Sequence, residues 1–276
     1  MAAENALMWA KGFATSAEVP LELVHAWHAP FAFGLTTLEQ AYSRINLNKL
    51  RARELLTSRA CAAGVHPTAP RTVREGQPGE VLMEATEPGT MIVIGRTGTG
   101  THGVARLAEL VIGSTARHCL HHASGPVTVV PERAAWPRRD ATIVVGVDGS
   151  KASLRALSWA VAMAPADATV TAQWSVGIWD DLAPETLDLD DPEVVEEGRQ
   201  RLDEWIANVA PSGQPLPTAS VVVGDARDDL TVASGDADLV VVGNQSRSPV
   251  SRLVLGSVAE HVVRNARCAV AVIPDH

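Results

Sequence analysis

The sequence has little cysteine and no long apolar run. Its three cysteines, Cys61, Cys119 and Cys268, are odd in number and widely spaced, which excludes a disulfide framework and a CxxC metal or redox motif. No segment approaches the roughly 20 consecutive apolar residues of a membrane-spanning helix. Glu4 stands where a signal peptide would carry basic residues. We therefore expect a soluble protein of the reducing cytoplasm.

Positive charge is also scarce. The chain has 23 Lys and Arg against 32 Asp and Glu, a formal net charge of −9. This balance opposes the release of counterions that drives binding to nucleic acids. A phosphate-binding GxxxxGK[ST] motif is absent from the sequence, so nothing points to a dedicated nucleotide-hydrolysing enzyme. We expect neither a nucleic-acid partner nor an enzyme, although slow ATP hydrolysis stays open.

What the chain does contain is an internal repeat. Residues 75–95 align without a gap on residues 223–243, which lie 148 residues further on. A second block, ending at Pro131 in one copy and Pro274 in the other, matches at a separation of 143 residues. Since 276 residues suit two domains of about 100–150 residues each, we expect repeat one at 1–131 and repeat two at 141–276. The segment 132–140 is the predicted linker, because together with Pro131 it has two prolines, several charges and little apolar content.

Each copy alternates strands and helices, which favours an α/β fold with a parallel sheet. In repeat two the β-branched run Ala141–Val147 predicts a buried strand, and Ser150 can cap the helix that follows. We predict two flavodoxin-like or Rossmann-like domains, each built on a parallel five-stranded sheet in the order 3-2-1-4-5.

Repeat one lacks its first strand. Trp9 matches Trp159, 150 residues further on, so the counterpart of 141–150 would precede Met1. Because strand one is central in this sheet order, its absence leaves buried backbone groups unpaired. We expect either a native start upstream of Met1, which we favour, or another segment in the empty position. Repeat one should also be the less stable half.

A loop with glycines connects a strand to a helix in repeat two. It includes Gly243, Ser246 and Gly256, and it leads to Ser257 and Val258 at the start of the helix. Backbone N–H groups of such loops, together with a helix N-terminus, bind phosphate. The alternative is a glycine turn before an ordinary capped helix.

The order of these features resembles the universal stress protein family over nearly all of both copies. The family's phosphate signature, G-x2-G-x9-G-[ST], is complete in repeat one as Gly100, Gly103, Gly113 and Ser114. In repeat two it starts at Gly243 and has Ser246 in place of the second glycine, followed by Gly256 and Ser257.

The same resemblance implies the adenine end of the site. The family's adenine-contacting aspartate matches Asp148, and the turn after strand two matches the neighbourhood of Gln173. Repeat one has no counterpart of the aspartate, and five extra residues separate its signature from the strand. We therefore expect ATP or a related adenine nucleotide, with or without Mg²⁺, in repeat two, and a vestigial phosphate loop in repeat one.

Two functions remain in competition. The first is a stress-response regulator controlled by ATP occupancy, and the second is a nucleotide-free interaction scaffold, toward which Ser246 is a step. Resemblance to the family also implies that the repeats form an internal pseudo-dimer by pairing 127–131 with 269–273, while a homodimer of the whole chain stays open.

Other clusters are weaker. His118, His121 and His122 have a spacing that could bind zinc, but a solvated helix face explains them more simply. The acidic run 180–197 is typical of a solvated loop. Trp27 and Trp174 recur at similar places in the two copies, which suggests packing. We expect no metal site and no catalytic residues.

Overall fold

The computed structural model describes residues 2–28, 38–87, 89–97, 112–137, 139–177, 192–209, 215–244 and 255–275. Within these ranges the chain forms nine strands and eight helices. The strands are β1 (Leu23–Trp27), β2 (Arg71–Glu75), β3 (Ile92–Gly95), β4 (Val127–Val130), β5 (Thr142–Gly146), β6 (Thr169–Val176), β7 (Thr218–Val223), β8 (Leu239–Gly243) and β9 (Ala269–Ile273). The helices are α1 (Ala2–Ser16), α2 (Leu38–Ala62), α3 (Pro78–Glu84), α4 (Ser114–His122), α5 (Lys151–Met163), α6 (Pro192–Val209), α7 (Ala226–Ala233) and α8 (Ser257–Asn265).

Repeat two forms a parallel sheet in the order β7-β6-β5-β8-β9. Numbered within the repeat, this is the predicted order 3-2-1-4-5. The central strands β5 and β8 are runs of valine, isoleucine and leucine because helices cover both faces of the sheet. Val145 and Val241 of these strands are fully buried. The α/β fold predicted from the sequence is confirmed.

The sheet of repeat one is divided. Its strands β1 and β2 pair with each other in a two-stranded sheet, whereas β3 and β4 belong to the seven-stranded sheet of repeat two. These strands correspond to β6, β7, β8 and β9. Among the described residues, no strand lies between β1 and β3, the position that β5 occupies between β6 and β8. The absence of strand one therefore separates the repeat into two pieces of sheet.

The last strands of the two repeats lie side by side. Strand β4 pairs antiparallel with β9, with Val127 opposite Val272 and Val129 opposite Val270. Both strands are buried along their whole length. One sheet in the order β3-β4-β9-β8-β5-β6-β7 therefore runs through both repeats. This is the pairing of last strands that the sequence analysis predicts.

Arg96 adds a second contact between the repeats. It follows β3 directly, and its Nη1 donates to the carbonyl oxygens of Arg264 and Ala266, at 3.1 and 3.0 Å. Both acceptors lie at the C-terminal end of α8, where carbonyl groups lack partners within the helix and a positive charge is favourable. A residue of repeat one therefore caps a helix of repeat two.

The connection between the repeats packs tightly on α1. Trp136 lies in the predicted linker, yet its side chain is buried in an edge-to-face arrangement with Trp9 and Phe13. Its Nε1 donates to Ser16 Oγ at 3.2 Å. Gly12 permits this approach, because a Cβ there would come within 3.0 Å of Trp136. Trp136 thus anchors the predicted linker on α1, although the composition of this segment predicts only that it connects the two repeats.

A bilayer-spanning helix is not found in the part of the chain that the structure describes.

Candidate functional site

A cleft opens at the carboxyl ends of β5 and β8. Its cavity volume is about 260 Å³, close to the lower end of the roughly 300–1,000 Å³ of small-ligand sites. The strands β5 and β8 are strands one and four of the repeat, and the chain adds later strands on opposite sides of this pair. Open parallel α/β sheets bind their ligands at such a point. The residues that the argument below uses are Asp148, Ser150, Ser153, Gln173, Trp174, Gly243, Gly256, Ser257 and Val258, all of which line the cleft.

Asp148 stands at the mouth of the cleft, just beyond β5. Its Oδ1 accepts a hydrogen bond from the Ser150 N–H at 3.0 Å, and its own N–H donates to Ser153 Oγ at 3.2 Å. Ser150 Oγ in turn accepts from the Ser153 N–H and caps α5. The turn therefore fixes the direction of the carboxylate, which is exposed and keeps acceptor capacity for a ligand.

This turn depends on Gly149. Its φ of +77° belongs to the left-handed region. A Cβ at this position would also lie 2.4 Å from Cζ2 of Trp205 on α6. Two separate constraints therefore require glycine at this position: the positive φ of the backbone and the close packing of the Trp205 ring.

Gln173 and Trp174 come from the neighbouring strand β6. Gln173 is opposite Gly146 in the register of β5 and β6, and its carbonyl oxygen accepts from the Val147 N–H at 2.9 Å. Its side chain is buried, with 8% exposure, although it lines the cleft. The structure therefore brings Gln173 and Asp148 to the same cavity, as the sequence predicts.

Gly243 lies where α5 crosses the end of β8. A Cβ on Gly243 would come within 2.5 Å of the Ala152 carbonyl carbon and 2.6 Å of its oxygen. Repeat one shows the same approach, since a Cβ on Gly95 would lie 2.8 Å from the Ala2 carbonyl oxygen. This glycine of the signature is thus needed for packing a helix on the sheet, besides lining the cleft.

The N-terminus of α8 also lines the cleft. Gly256 is the N-cap residue, with φ −59° and ψ 147°, and Ser257 and Val258 follow in the first turn. N–H groups of a first turn have no acceptor within the helix, and the helix dipole favours an anion there. Together with the Ser257 hydroxyl, they can donate hydrogen bonds to phosphate oxygens.

Asn244 is a residue of this site that the sequence analysis missed. Its Oδ1 accepts a hydrogen bond from the Gly256 N–H at 3.1 Å. We expected the Gly256 amide to face the phosphates, but an internal acceptor takes that N–H. Among the described residues, the donors that remain at the N-terminus of α8 include the amides of Ser257 and Val258 and the Ser257 hydroxyl. An asparagine after a strand carries no signal in the sequence that would reveal this bond.

Charge in the cleft is sparse. Asp148 is the one ionisable side chain among the described residues that line it. No described lining residue is a histidine, lysine or cysteine, so a serine there has no neighbouring base of these types. Over the described ranges, no group of three or more His, Cys, Asp or Glu side chains is placed to bind a metal.

Comparison with known proteins identifies the family. The model of the universal stress protein family matches residues 2–131 and again residues 141–274. The chain belongs to the universal stress protein family. It is a tandem member, as the resemblance implied. It is 29% identical over 284 residues to a universal stress protein of Mycobacterium tuberculosis, covering 98% of this chain and 92% of that one. A universal stress protein of Mycolicibacterium smegmatis is 28% identical over 289 residues, with the same two coverages.

Solved structures share the fold. A universal stress protein from Archaeoglobus fulgidus superposes with a TM-score of 0.62 at 15% identity, over 98% of this chain and 91% of that one. A putative universal stress protein from Pseudomonas aeruginosa gives a TM-score of 0.58 at 17% identity, over 94% and 95%. Both likenesses extend through the two repeats, and at these identities they concern the fold alone.

In this tandem universal stress protein the two repeats are unequal at the adenine end. The Gly76 N–H donates to the Trp27 carbonyl, as the Gly224 N–H donates to that of Val176. Trp27 therefore corresponds to Val176, so Val24 takes the place of Gln173. The predicted equivalence of Trp27 with Trp174 is wrong by two positions. The hydrogen bonds at the ends of β1 and β6 define which residues correspond, and they pair Trp27 with Val176.

The phosphate end of repeat one is only partly described. Gly113 is the N-cap of α4, which begins at Ser114. The Gly113 N–H donates to the carbonyl oxygen of Arg96 at 2.8 Å. Gly100 and Gly103 lie outside the described residues, as does Ser246 of repeat two.

The histidines of α4 pack against each other. The rings of His118 and His122 stack with centroids 4.4 Å apart, and His122 Nδ1 donates to the His118 carbonyl oxygen at 2.8 Å. Cys119 is fully buried, and burial raises the pKa of its thiol to about 11. A hydrogen-bonded helix face accounts for these residues.

Proposed function

We propose that repeat two binds ATP or a related adenine nucleotide, and that the chain acts as a regulator of the stress response in the cytoplasm. The observation that carries this proposal is the convergence of Asp148, Gln173 and the first turn of α8 on one cleft. These three parts lie apart in the sequence: Asp148 follows β5, Gln173 lies within β6, and α8 begins fourteen residues after β8 ends. Each supplies a group suited to a different part of a nucleotide.

The proposed orientation follows from charge. The carboxylate of Asp148 accepts hydrogen bonds from the exocyclic amine of adenine or from ribose hydroxyls. Phosphates lie at the N-terminus of α8, where the amides of Ser257 and Val258 and the Ser257 hydroxyl donate. Negative charge is stabilised there and repelled at Asp148, so the nucleotide has one favourable direction. Mg²⁺, when present, accompanies the phosphates as a counterion.

The proposed role is binding and not catalysis. A general base or nucleophile must lie within hydrogen-bond reach of the reacting group. Within the described lining, Asp148 is the one titratable group, and we assign it to the adenine and not to the phosphates. Slow hydrolysis by water is compatible with such a site, but a dedicated enzyme is not what we propose.

A nucleotide-free scaffold is the competing function. It is favoured by Ser246, which replaces a glycine of the family signature. Under this alternative the cleft stays empty and the chain acts through contacts with other proteins.

Titration calorimetry of the purified full chain with ATP separates the two functions. We expect one nucleotide per chain, and weaker binding in Asp148→Ala because the adenine end loses its acceptor. If a nucleotide is retained through purification, denaturing the protein should release it, and mass spectrometry should identify it as an adenine nucleotide. Absence of heat at millimolar ATP, with no ligand released, would favour the scaffold.

A further inference from the structure

Asn244 holds two elements of repeat two together. Its main-chain N–H donates to the carbonyl oxygen of Ile273 at 2.8 Å, which fixes its backbone on β9. Its side-chain Oδ1 accepts from the N–H of Gly256 at 3.1 Å. A strand end that is anchored in the sheet is thereby joined to the N-cap residue of α8, twelve positions later in the chain.

Repeat one joins the end of its strand to the N-cap residue of its helix by a different hydrogen bond. Arg96 occupies the place of Asn244, and its N–H likewise donates to the last strand, at the Val130 carbonyl. The N–H of Gly113, the counterpart of Gly256, is accepted there by the main-chain oxygen of Arg96. The closure is thus made by main chain in repeat one and by a side chain in repeat two. A substitution can remove it only in repeat two.

We propose that Asn244 is the positioning residue for the phosphate end of the cleft. By accepting the Gly256 N–H it sets where α8 begins, so that the amides of Ser257 and Val258 point into the cleft. This inference rests on the proposed function, since it concerns how the same site holds phosphates. Asn244 touches α8 and not the nucleotide, so its effect is exerted through the helix.

The neutrality of the carboxamide matters as much as its oxygen. A carboxylate at this position could accept the same hydrogen bond from Gly256. It would also place a full negative charge beside the positive end of the α8 dipole, where the phosphates are to lie. Asparagine is therefore an acceptor that closes the loop without repelling the ligand.

The test compares Asn244→Asp and Asn244→Ala with the unaltered chain in calorimetric titrations of ATP, ADP, AMP and adenosine. We expect Asn244→Asp to weaken ATP binding by about tenfold or more, with a loss that falls as phosphates are removed and is negligible for adenosine. We expect Asn244→Ala to weaken ATP binding by about threefold to tenfold, the usual cost of one hydrogen bond. Asn265→Ala is the matched control, because the Asn265 side chain donates to the His261 carbonyl at the far end of α8, away from Gly256.

A second readout needs no ligand. Amide hydrogen exchange at Gly256 should be faster in Asn244→Ala than in the unaltered chain. It should remain slow in Asn244→Asp and in Asn265→Ala, because the acceptor or the whole residue is retained. A general loss of structure would instead raise exchange throughout the sheet.

The outcomes separate this inference from the function on which it rests. If the unaltered chain binds ATP and both Asn244 variants bind it equally well, the positioning role is overturned and the proposed function stands. The role is also overturned if Asn244→Asp loses adenosine as strongly as ATP. If the unaltered chain binds none of the four ligands, both proposals fall.

Discussion

Nη1 of Arg96 donates to the carbonyl oxygen of Ala266 at 3.0 Å, across the junction of two repeats whose sequences place these residues 170 positions apart. The same atom reaches the carbonyl of Arg264. The helix that ends there, α8, begins at the phosphate end of the cleft. Repeat one therefore contributes to the position of a helix on which the site of repeat two depends.

Removing this cap should lower stability. We expect Arg96→Ala to reduce the free energy of unfolding by about 1–3 kcal/mol, because two partly buried carbonyls lose a charged donor. Arg96→Lys should recover only part of the loss, since a lysine side chain is one atom shorter and its ammonium reaches less far toward the two carbonyls. Urea unfolding followed by circular dichroism measures both. The exposed Arg117 of α4 supplies the control, and an equal loss in Arg117→Ala would show that the cap itself is unimportant.

Glycines at the starts of α8 and α4 allow the choice of repeat to be tested. Gly256 has φ −59° and ψ 147°, and Gly113 has φ −62° and ψ 157°, so any L residue fits either backbone. We expect Gly256→Val to weaken ATP binding by about tenfold or more, because the side chain crowds the phosphates, whereas Gly113→Val leaves it unchanged. Calorimetric titration of both variants checks this. Binding that is lost only in Gly113→Val would place the nucleotide in repeat one.

Gly149 and Gly89 separate backbone strain from crowding. Both have positive φ, at +77° and +88°, but a Cβ on Gly149 meets Trp205 at 2.4 Å whereas one on Gly89 meets nothing within 4 Å. We expect Gly89→Ala to cost about 1–2 kcal/mol from the left-handed backbone alone. Gly149→Ala should cost about 1–3 kcal/mol more, from overpacking. Urea unfolding gives both values, and equal costs would mean that Trp205 moves aside freely.

Asp225 should make the free energy of unfolding depend on pH in the acid range. It caps α7 by accepting from the Arg227 N–H at 2.8 Å. Hydrogen bonds from the Arg227 side chain, and then from its backbone, lower the pKa of Asp225 to about 2. Because the folded-state pKa is below the ordinary value near 4, the stabilisation is complete above pH 4 and is lost as the pH falls toward 2.

Asp225→Ser isolates this contribution, since serine keeps a cap but does not titrate. The unaltered chain should be more stable than the variant at pH 6, and the difference should shrink between pH 4 and pH 2. Thermal unfolding at several pH values measures it. A difference that stays constant down to pH 2 would contradict the link to Asp225.

Much of the fold could be predicted because its signals are local or periodic. The β-branched runs of β5 and β8 mark buried parallel strands, and the offset between Trp9 and Trp159 predicts the gap between β1 and β3 that the described strands show. Gly243 was recognised in a phosphate signature, but its crossing with Ala152 depends on the angle of α5, which no single segment encodes.

The features that sequence could not supply involve side chains that meet across long separations. Trp136 lies in a segment of prolines and charged residues, which predicts exposure. Its ring packs on α1 because Gly12 has no side chain to block the approach. Asn244 and Arg96 are ordinary polar residues after a strand, and each could equally face solvent. What they bond is decided by where α8 lies, which is a property of the assembled sheet.

The antiparallel ladder of β4 with β9 has a consequence for symmetry. In a dimer of identical chains, one residue must serve both sides of the axis. Here the partners are covalently linked, the edges of β4 and β9 are already satisfied by each other, and each side of the junction can be altered alone. The matched positions differ here, because Arg96 reaches across the junction to α8 whereas Asn244 bonds within its own repeat. A tandem chain can therefore carry a different residue at each of two matched positions, which a dimer of identical chains cannot do.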